Sequence, residues 1–368
     1  MRRGAAVNDL GIIADGSVLI RDGKIISVGP ARRIENLKEA RGAIEISAEG
    51  TVVMPGFVDP GIQLSFQQKN GIEGSAKRRK MADFCDESLS LMRACLQHGT
   101  LRLQVKACAG TGDFRTDYAV LRHLAEIGDN PVGMTRSWRV TEPAVPAGQD
   151  GGFDEVLGNL AERKLVHFIE AAPECSPDFC ERVWDAAAAH RLRVNAAWTG
   201  GRALAALIER SKAHAVWCPV RFAGSELDVL SASHSIAVFS PGADLLDDSA
   251  GDCARRLADA GGAIALCSGY HPSDSPSFNM QMVVALAVLR LHLTIEQAIT
   301  FATINAAHAL GRGDVTGSIE CGKQADLIVL NIPDYRELHR RLGMNHVGMA
   351  LRDGNIVFNR IRSKASGI

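Results

Sequence analysis

Eight side chains with acid–base, hydrogen-bonding or stacking chemistry lie in or just after short apolar runs of the sequence. They are Gln63, Lys106, Glu142, Glu170, Asn195, Trp198, His271 and Asp274. His271, with Asp274 to orient it, is a candidate general base, and Glu170 is a candidate pocket acid. Lys106 is a candidate cation for binding a ligand, and Trp198 is a candidate stacking surface. The sequence contains no zinc-protease, nucleophile-elbow, P-loop or dinucleotide-binding motif, so spacing alone predicts no reaction.

Each of these residues also has a structural interpretation. Under it, Lys106 pairs with a neighbouring carboxylate, Glu170 accepts hydrogen bonds near the strand ends and His271 is an ordinary loop residue. Trp198 then fills space instead of stacking on a ligand. The neutral amides interpreted as fillers of the same cavity are Gln63 and Asn195.

The elements that must position these residues are short apolar runs that alternate with stretches of helical period. This alternation predicts an α/β fold, a parallel (β/α)8 barrel of the TIM type. The predicted barrel strands are residues 52–57, 101–106, 132–140, 165–171, 192–197, 213–219, 236–240 and 263–268. Beyond the last strand, Thr294 and Gln297 predict a capping box at the start of a helix. Barrel sites form at the carboxyl ends of the strands, so any chemistry is expected there.

The two ends of the sequence each contain a β-hairpin pattern. Asp22-Gly23 and Asp353-Gly354 separate β-rich runs, and this dipeptide suits the positive φ angles of a tight hairpin turn. Residues 325–330 form a further apolar run before the second hairpin. The two ends are therefore predicted to form one β module.

Composition excludes several classes of function. Lys and Arg total 41 against 42 Asp and Glu, and no basic stretch has the length of a nucleic-acid-binding footprint. No signal peptide is predicted at the start, and the most apolar stretch, residues 280–291, is too short to span a membrane. Nine cysteines without a C-x-x-C pair predict free thiols in a reducing cytoplasm.

Two groups of motifs carry a resemblance to a known family. Residues 53–60, Val-Met-Pro-Gly-Phe-Val-Asp-Pro, resemble the first barrel strand of the amidohydrolase superfamily. The segments 293–307, 322–327 and 333–338 are similar to those of imidazolonepropionases, which open an imidazolone ring. This resemblance implies a barrel over residues 56–312 and a small β-sandwich built from residues 1–55 and 313–368. It also implies a homodimer, and Lys106 and Glu170 match a lysine and an acid of the family.

The family binds its metal, zinc or iron, through residues that this sequence lacks. The resemblance places an H-x-H pair after strand one, single histidines after strands five and six and an Asp after strand eight. The residues found at these positions are Gly61, Gln63, Ala197, Val216 and Gly269. For strand five, Asn195 is the alternative position, and it is not a histidine either. Neutral amide, methyl and glycine positions are poor ligands for zinc or iron, so no metal cofactor is predicted.

Three functional hypotheses follow from these substitutions. The favoured one is a homologue that has lost metal-dependent hydrolysis and is a pseudoenzyme or binds a small molecule not yet identified. An alternative is hydrolysis of a C–N bond in a cyclic amide, with a rebuilt metal site that includes His214 and His271. A third is a metal-free lyase or isomerase that uses Glu170 or His271.

Overall fold

The structure is a computed structural model. It describes residues 1–65, 80–108, 114–142, 150–172, 175–197, 205, 210, 213–218, 224–242, 251–272, 275 and 277–360. Two of the predicted site residues, Trp198 and Asp274, lie outside the described residues.

The N-terminal part of the chain begins with a short 3-10 turn, Gly4–Asn8, and the hairpin β1 (Gly16–Arg21) and β2 (Lys24–Pro30). The predicted Asp22-Gly23 turn is confirmed, with φ angles of 51° and 77°. Helix α1 (Ala31–Glu35), a 3-10 turn at Lys38–Ala40 and strand β3 (Val52–Pro55) follow.

Eight parallel strands of the described chain form one sheet in sequential order, as the sequence predicts. They are β4 (Phe57–Ser65), β5 (Thr100–Cys108), β6 (Gly133–Val140), β7 (Phe168–Ala171), β8 (Arg193–Ala197), β9 (Ala215–Cys218), β10 (Ile236–Phe239) and β11 (Ile264–Leu266). A bridge between Ile62 and Tyr270 joins the two edges, and Gln63 N donates to Tyr270 O at 2.8 Å. The sheet is therefore a nearly closed barrel.

The first predicted barrel strand, residues 52–57, is divided between two sheets. Residues 52–55 are β3, which pairs outside the barrel, whereas the barrel strand starts at Phe57. Gly56 lies at the crossing, where a Cβ atom would overlap the side chain of Leu101. Glycine suits this position because the Leu101 side chain occupies the space that a Cβ atom would need.

Most helices pack on the outside of the barrel, whereas α10 packs against its interior face. Their bounds are α2 (Met81–Gln97), α3 (Phe114–Ile127), α4 (Asp150–Glu162), α5 (Pro177–Ala189), α6 (Gly224–Ala232), α7 (Gly251–Asp259), α8 (Met280–Arg290), α9 (Ile295–Ala302), α10 (Ile304–Ala309) and α11 (Glu337–Arg340). The predicted capping box is confirmed, because Gln297 N donates to Thr294 Oγ1 at 3.1 Å and Thr294 N to Gln297 Oε1 at 2.9 Å. None of the described helices is long and apolar enough to cross a bilayer.

A second sheet is built from both ends of the chain. Strands β12 (Leu327–Leu330), β13 (Val347–Arg352) and β14 (Asn355–Asn359) join β3 in the order β14-β13-β12-β3. Ile25 of the N-terminal hairpin packs against Leu327 and Met349 on this sheet. The first residues lie elsewhere, because Thr300 Oγ1 donates to Val7 O at 2.9 Å and Asn305 Nδ2 donates to Arg2 O at 3.0 Å.

The alternation of side chains along the barrel strands separates two cores. One face of the strands, which includes Val194, Val216 and Leu266, packs against the surrounding helices. The other face, which includes Ala215, Val238 and Cys267, packs together with α10. The second face lines the barrel interior, and the polar residues described below continue it toward the carboxyl ends of the strands.

Candidate functional site

A buried ion-pair cluster occupies the barrel interior near the carboxyl ends of three adjacent strands. Lys106 Nζ on β5 lies 2.9 Å from Glu170 Oε2 on β7. Arg139 on β6, between them, donates to Glu170 Oε1 from Nε at 2.8 Å and from Nη2 at 2.6 Å. The side chain of Glu170 is 0% exposed, whereas those of Lys106 and Arg139 are 4% and 18% exposed. One carboxylate thus compensates two cations.

Two further side chains complete this cluster. Lys106 Nζ lies 3.3 Å from the centroid of the Trp217 ring on β9, a cation–π contact across the barrel. Arg139 Nη1 donates to Gln63 Oε1 on β4 at 2.8 Å. The cluster therefore links β4, β5, β6, β7 and β9 around the same interior space.

Burial and charge shift the proton affinities of the pair. Burial lowers the pKa of Lys106 to about 8, with Arg139 acting in the same direction and Glu170 opposing it. Burial raises the pKa of Glu170, but the charges of Arg139 and Lys106 outweigh this and hold it below its usual value. Glu170 is therefore ionised at neutral pH, and Lys106 is mostly protonated.

Asp59 and Asn195 are buried polar residues in the same barrel. Asp59 Oδ1 accepts from Gly61 N at 3.1 Å and Ser268 N at 3.0 Å, and burial raises the pKa of its carboxyl group. Asn195, 0% exposed and in register with Glu170, has no hydrogen-bond partner for its side-chain amide among the described residues. A buried amide without partners is costly unless a ligand or water satisfies it.

Solved structures with this fold are amidohydrolase-type barrels. Guanine deaminase from C. acetobutylicum, solved with guanine in its active site, has a TM-score of 0.71 at 16% identity, with 97% of this chain and 99% of that chain covered. An atrazine chlorohydrolase variant from Arthrobacter aurescens has a TM-score of 0.70 at 15% identity, with 96% and 93% covered. At these identities the similarity shows the fold alone.

Sequence comparison defines the family. The amidohydrolase family model matches residues 168–357, just over half of the chain. This chain belongs to the amidohydrolase family. Imidazolonepropionase from Geobacillus thermodenitrificans is 30% identical over 396 residues, with 96% of this chain and 92% of the relative covered. That from Parabacteroides distasonis is 28% identical over 395 residues, with 96% and 94% covered. The chain is therefore imidazolonepropionase-like over nearly its whole length.

Two of the positions that the resemblance assigns to metal ligands, Gly61 and Gly269, are glycines in crowded surroundings. A Cβ atom on Gly61 would lie 2.9 Å from Cys267 Sγ and 3.2 Å from Trp217 Nε1. Gly269 has a φ of 63°, in the left-handed region, and a Cβ atom there would overlap Ser240. The side chains of Cys267 and Trp217 therefore occupy the space beside Gly61, and that of Ser240 the space beside Gly269.

The position on strand six depends on which face of β9 a residue occupies. The sequence comparison of motifs placed Val216 at the family's ligand position, but Val216 faces the surrounding helices. The residue that faces the interior is Trp217, one position later. On strand five, Asn195 precedes Ala197 by two residues, so the two positions share a face.

These residues do not fit a divalent metal ion. An ammonium group and an indole occupy the centre of the cluster, and a cation there would be repelled by Lys106 and Arg139. Within the described ranges, no three His, Cys, Asp or Glu side chains converge as a metal site requires. Zinc and iron need several imidazole, thiolate or carboxylate ligands, which the family's five positions do not offer in this chain.

The remaining predicted residues lie outside the cluster. Glu142 is exposed, and its carboxylate accepts from Ser176 Oγ at 3.0 Å at the start of α5. His271 lies in a turn closed by Ser275, with His271 N donating to Ser275 O at 2.8 Å. His214 donates through Nε2 to His308 O at 2.8 Å at the amino end of β9. His214 and His271 are therefore at opposite ends of the barrel and cannot share one metal ion.

Sequence reasoning found Lys106, Glu170, Gln63 and Asn195, and the structure brings these four into the barrel interior. It missed Arg139, Trp217 and Asp59, although each lies inside or just after a predicted strand. The available signal was a charged or aromatic side chain inside a predicted strand, such as Arg139 within residues 132–140.

Proposed function

We propose that this chain has lost the metal-dependent hydrolysis of its family and uses the barrel mouth to bind a small organic molecule. One observation carries the proposal: Trp217 and Cys267 fill the space beside Gly61, and the Lys106 ammonium lies 3.3 Å over the same indole. A cation of the protein thus stands among the positions that hold a metal in the family.

Loss of the bound metal ion would remove most of the activation of the attacking water. A bound metal lowers the pKa of water from about 15.7 to about 7, which corresponds to roughly 12 kcal/mol of nucleophile activation. A positioned general base contributes about 10²–10⁴-fold, or roughly 3–5 kcal/mol, and cannot replace it. Hydrolysis of a cyclic amide by the inherited route is therefore expected to be negligible.

The retained polar groups support a binding role. Asn195 offers a buried amide with no described protein partner, and Arg139 and Trp217 are partly exposed beside it. A compact molecule with hydrogen-bonding groups would satisfy Asn195 and cover the indole.

A comparison of activity tests the proposal. The full chain and the Geobacillus thermodenitrificans relative are assayed for ring opening of imidazolonepropionate, each with zinc, iron and manganese added in turn. We expect turnover by the relative and none by this chain above the uncatalysed rate. Metal-dependent ring opening by this chain would favour the rebuilt hydrolase instead. Metal-independent turnover of a related substrate, with a bell-shaped pH profile, would favour the lyase or isomerase.

The proposal includes a cytoplasmic homodimer. The nine cysteines, all of which are free thiols in the structure, support the cytoplasmic location, whereas the homodimer follows from the family resemblance alone. Cell fractionation and light scattering of the purified chain test the location and the oligomeric state separately.

A further inference from the structure

We propose that Lys106 is a reactive amine that forms an imine with a small aldehyde or ketone in the barrel mouth. The inference rests on the proposed function, because it assigns a use to the cluster that stands where the family holds its metal. It names the class of molecule that the binding site would take.

The first support is the pair of cations on one carboxylate. Glu170 accepts from Arg139 at 2.8 and 2.6 Å, so its charge remains compensated when Lys106 becomes neutral. A desolvated lysine beside another cationic group is the arrangement that activates an amine for attack on carbonyl compounds. The other ionisable groups near Lys106 are Asp59 and Cys267, both buried.

The second support is the position of the amine. Lys106 itself is buried, but its neighbours Arg139 and Trp217 are partly exposed. Nζ therefore lies against a partly exposed side chain, 3.3 Å from the Trp217 ring, in surroundings that lower its pKa to about 8. A fraction of the amine is then neutral at pH 7, whereas an ordinary lysine is almost fully protonated.

The reaction is a condensation with no change of oxidation state. The neutral Nζ attacks the carbonyl carbon, a C–N bond forms, and the carbonyl π pair moves to oxygen. Glu170 Oε2, 2.9 Å from Nζ, takes a proton from nitrogen and returns it to oxygen, which gives the carbinolamine. The nitrogen lone pair then expels the hydroxyl group, which takes a proton from solvent and leaves as water, and a protonated imine remains.

Reductive trapping tests the inference on the full chain. Acetaldehyde and cyanoborohydride are added at pH 7, and peptide mapping measures ethylation at each lysine over time. The matched controls are Lys24 and Lys164, which are exposed. We expect Lys106 to be modified about tenfold faster than these controls, and its rate to level off near pH 8 while theirs continue to rise.

Variants and metal analysis separate the possible failures. Arg139→Gln should slow the trapping of Lys106 at pH 7 by about threefold or more, whereas Arg139→Lys should retain it. Modification of Lys106 no faster than Lys24, or only after unfolding, would overturn the inference. If the protein binds no metal and opens no ring, but Lys106 is trapped no faster than the control lysines, only this inference is rejected. Stoichiometric metal with ring opening rejects the proposed function.

Discussion

Cys267 Sγ lies 2.9 Å from the point at which Gly61 would carry a Cβ atom. The family resemblance assigns Gly61 to the first position of the metal-binding histidine pair, and in this chain the Cys267 thiol packs against that position. Real Cβ atoms essentially never approach a neighbour this closely. The side chains around Gly61 therefore leave room for glycine but not for a larger residue.

Gly61→Ala should lower the free energy of unfolding by about 1–3 kcal/mol, because the new methyl group overpacks the space beside Cys267. In a Cys267→Ala background the same change should cost less, since the sulfur is gone. Urea denaturation of the four proteins gives the coupling energy, expected to exceed about 0.5 kcal/mol. Additive losses would show that Cys267 does not occupy this space.

Glu170→Gln should destabilise the protein by about 3–5 kcal/mol, because Lys106 and Arg139 would both lose their buried counter-charge. Lys106→Met should cost no more than about 2 kcal/mol, since Glu170 keeps its hydrogen bonds with Arg139 and a buried amine is removed. Chemical denaturation of both variants measures the difference. Equal losses would contradict the view that one carboxylate serves two cations.

Asp326→Asn should weaken the contact between the barrel and the second sheet. Arg102 Nε on β5 donates to Asp326 Oδ2 at 2.8 Å, and the Asp326 side chain is only 2% exposed, so a loss of about 3–5 kcal/mol is expected. Asp353, which also binds Arg102 but is 35% exposed, is the matched control. Asp353→Asn should cost about 1 kcal/mol or less. The reverse order in urea denaturation would refute this assignment.

Acid should destabilise the protein partly through His167. Burial, together with the charges of Arg136 and Arg312, lowers the pKa of His167 to about 4. An unfolded histidine titrates near 6.5, so the unfolded chain binds the proton first and stability falls as the pH drops from about 6.5 to 4.

The variant His167→Asn isolates this contribution. It keeps an acceptor for Arg136 N, which donates to His167 Nδ1 at 3.1 Å, but it does not titrate. Its free energy of unfolding should fall less than that of the wild type between pH 6.5 and 4, by up to roughly 3 kcal/mol. Parallel curves for the two proteins would show that His167 is not responsible.

Local signals in the sequence were sufficient for most of the fold. Asp22-Gly23 and Thr294 with Gln297 specify a turn and a helix start through their own backbone chemistry. The division at Gly56 was not visible, because residues 52–58 form one nearly continuous apolar run across two sheets. Only the close approach of Leu101 in three dimensions explains the break.

The site was harder to predict because it depends on which face each residue occupies. A shift of one residue along a strand reverses the face, and this separates Val216 from Trp217. Glu142 lies outside the cluster, and its contact with Ser176 at the start of α5 could not be predicted, because the two residues are 34 positions apart in the sequence. Arg139 and Glu170 lie on adjacent strands, and only the register of β6 against β7 shows that their side chains meet.

Metal analysis of the full chain decides between a barrel that has lost its metal site and one that still binds a metal ion for hydrolysis. The chain and the Geobacillus thermodenitrificans relative are produced with zinc, iron and manganese supplied, passed through a chelator and analysed by mass spectrometry. We predict less than about a tenth of an equivalent of metal on this chain, with its melting temperature unchanged by the chelator. About one tightly held equivalent per chain would contradict the conclusion that Trp217, Cys267 and Lys106 have replaced the metal site.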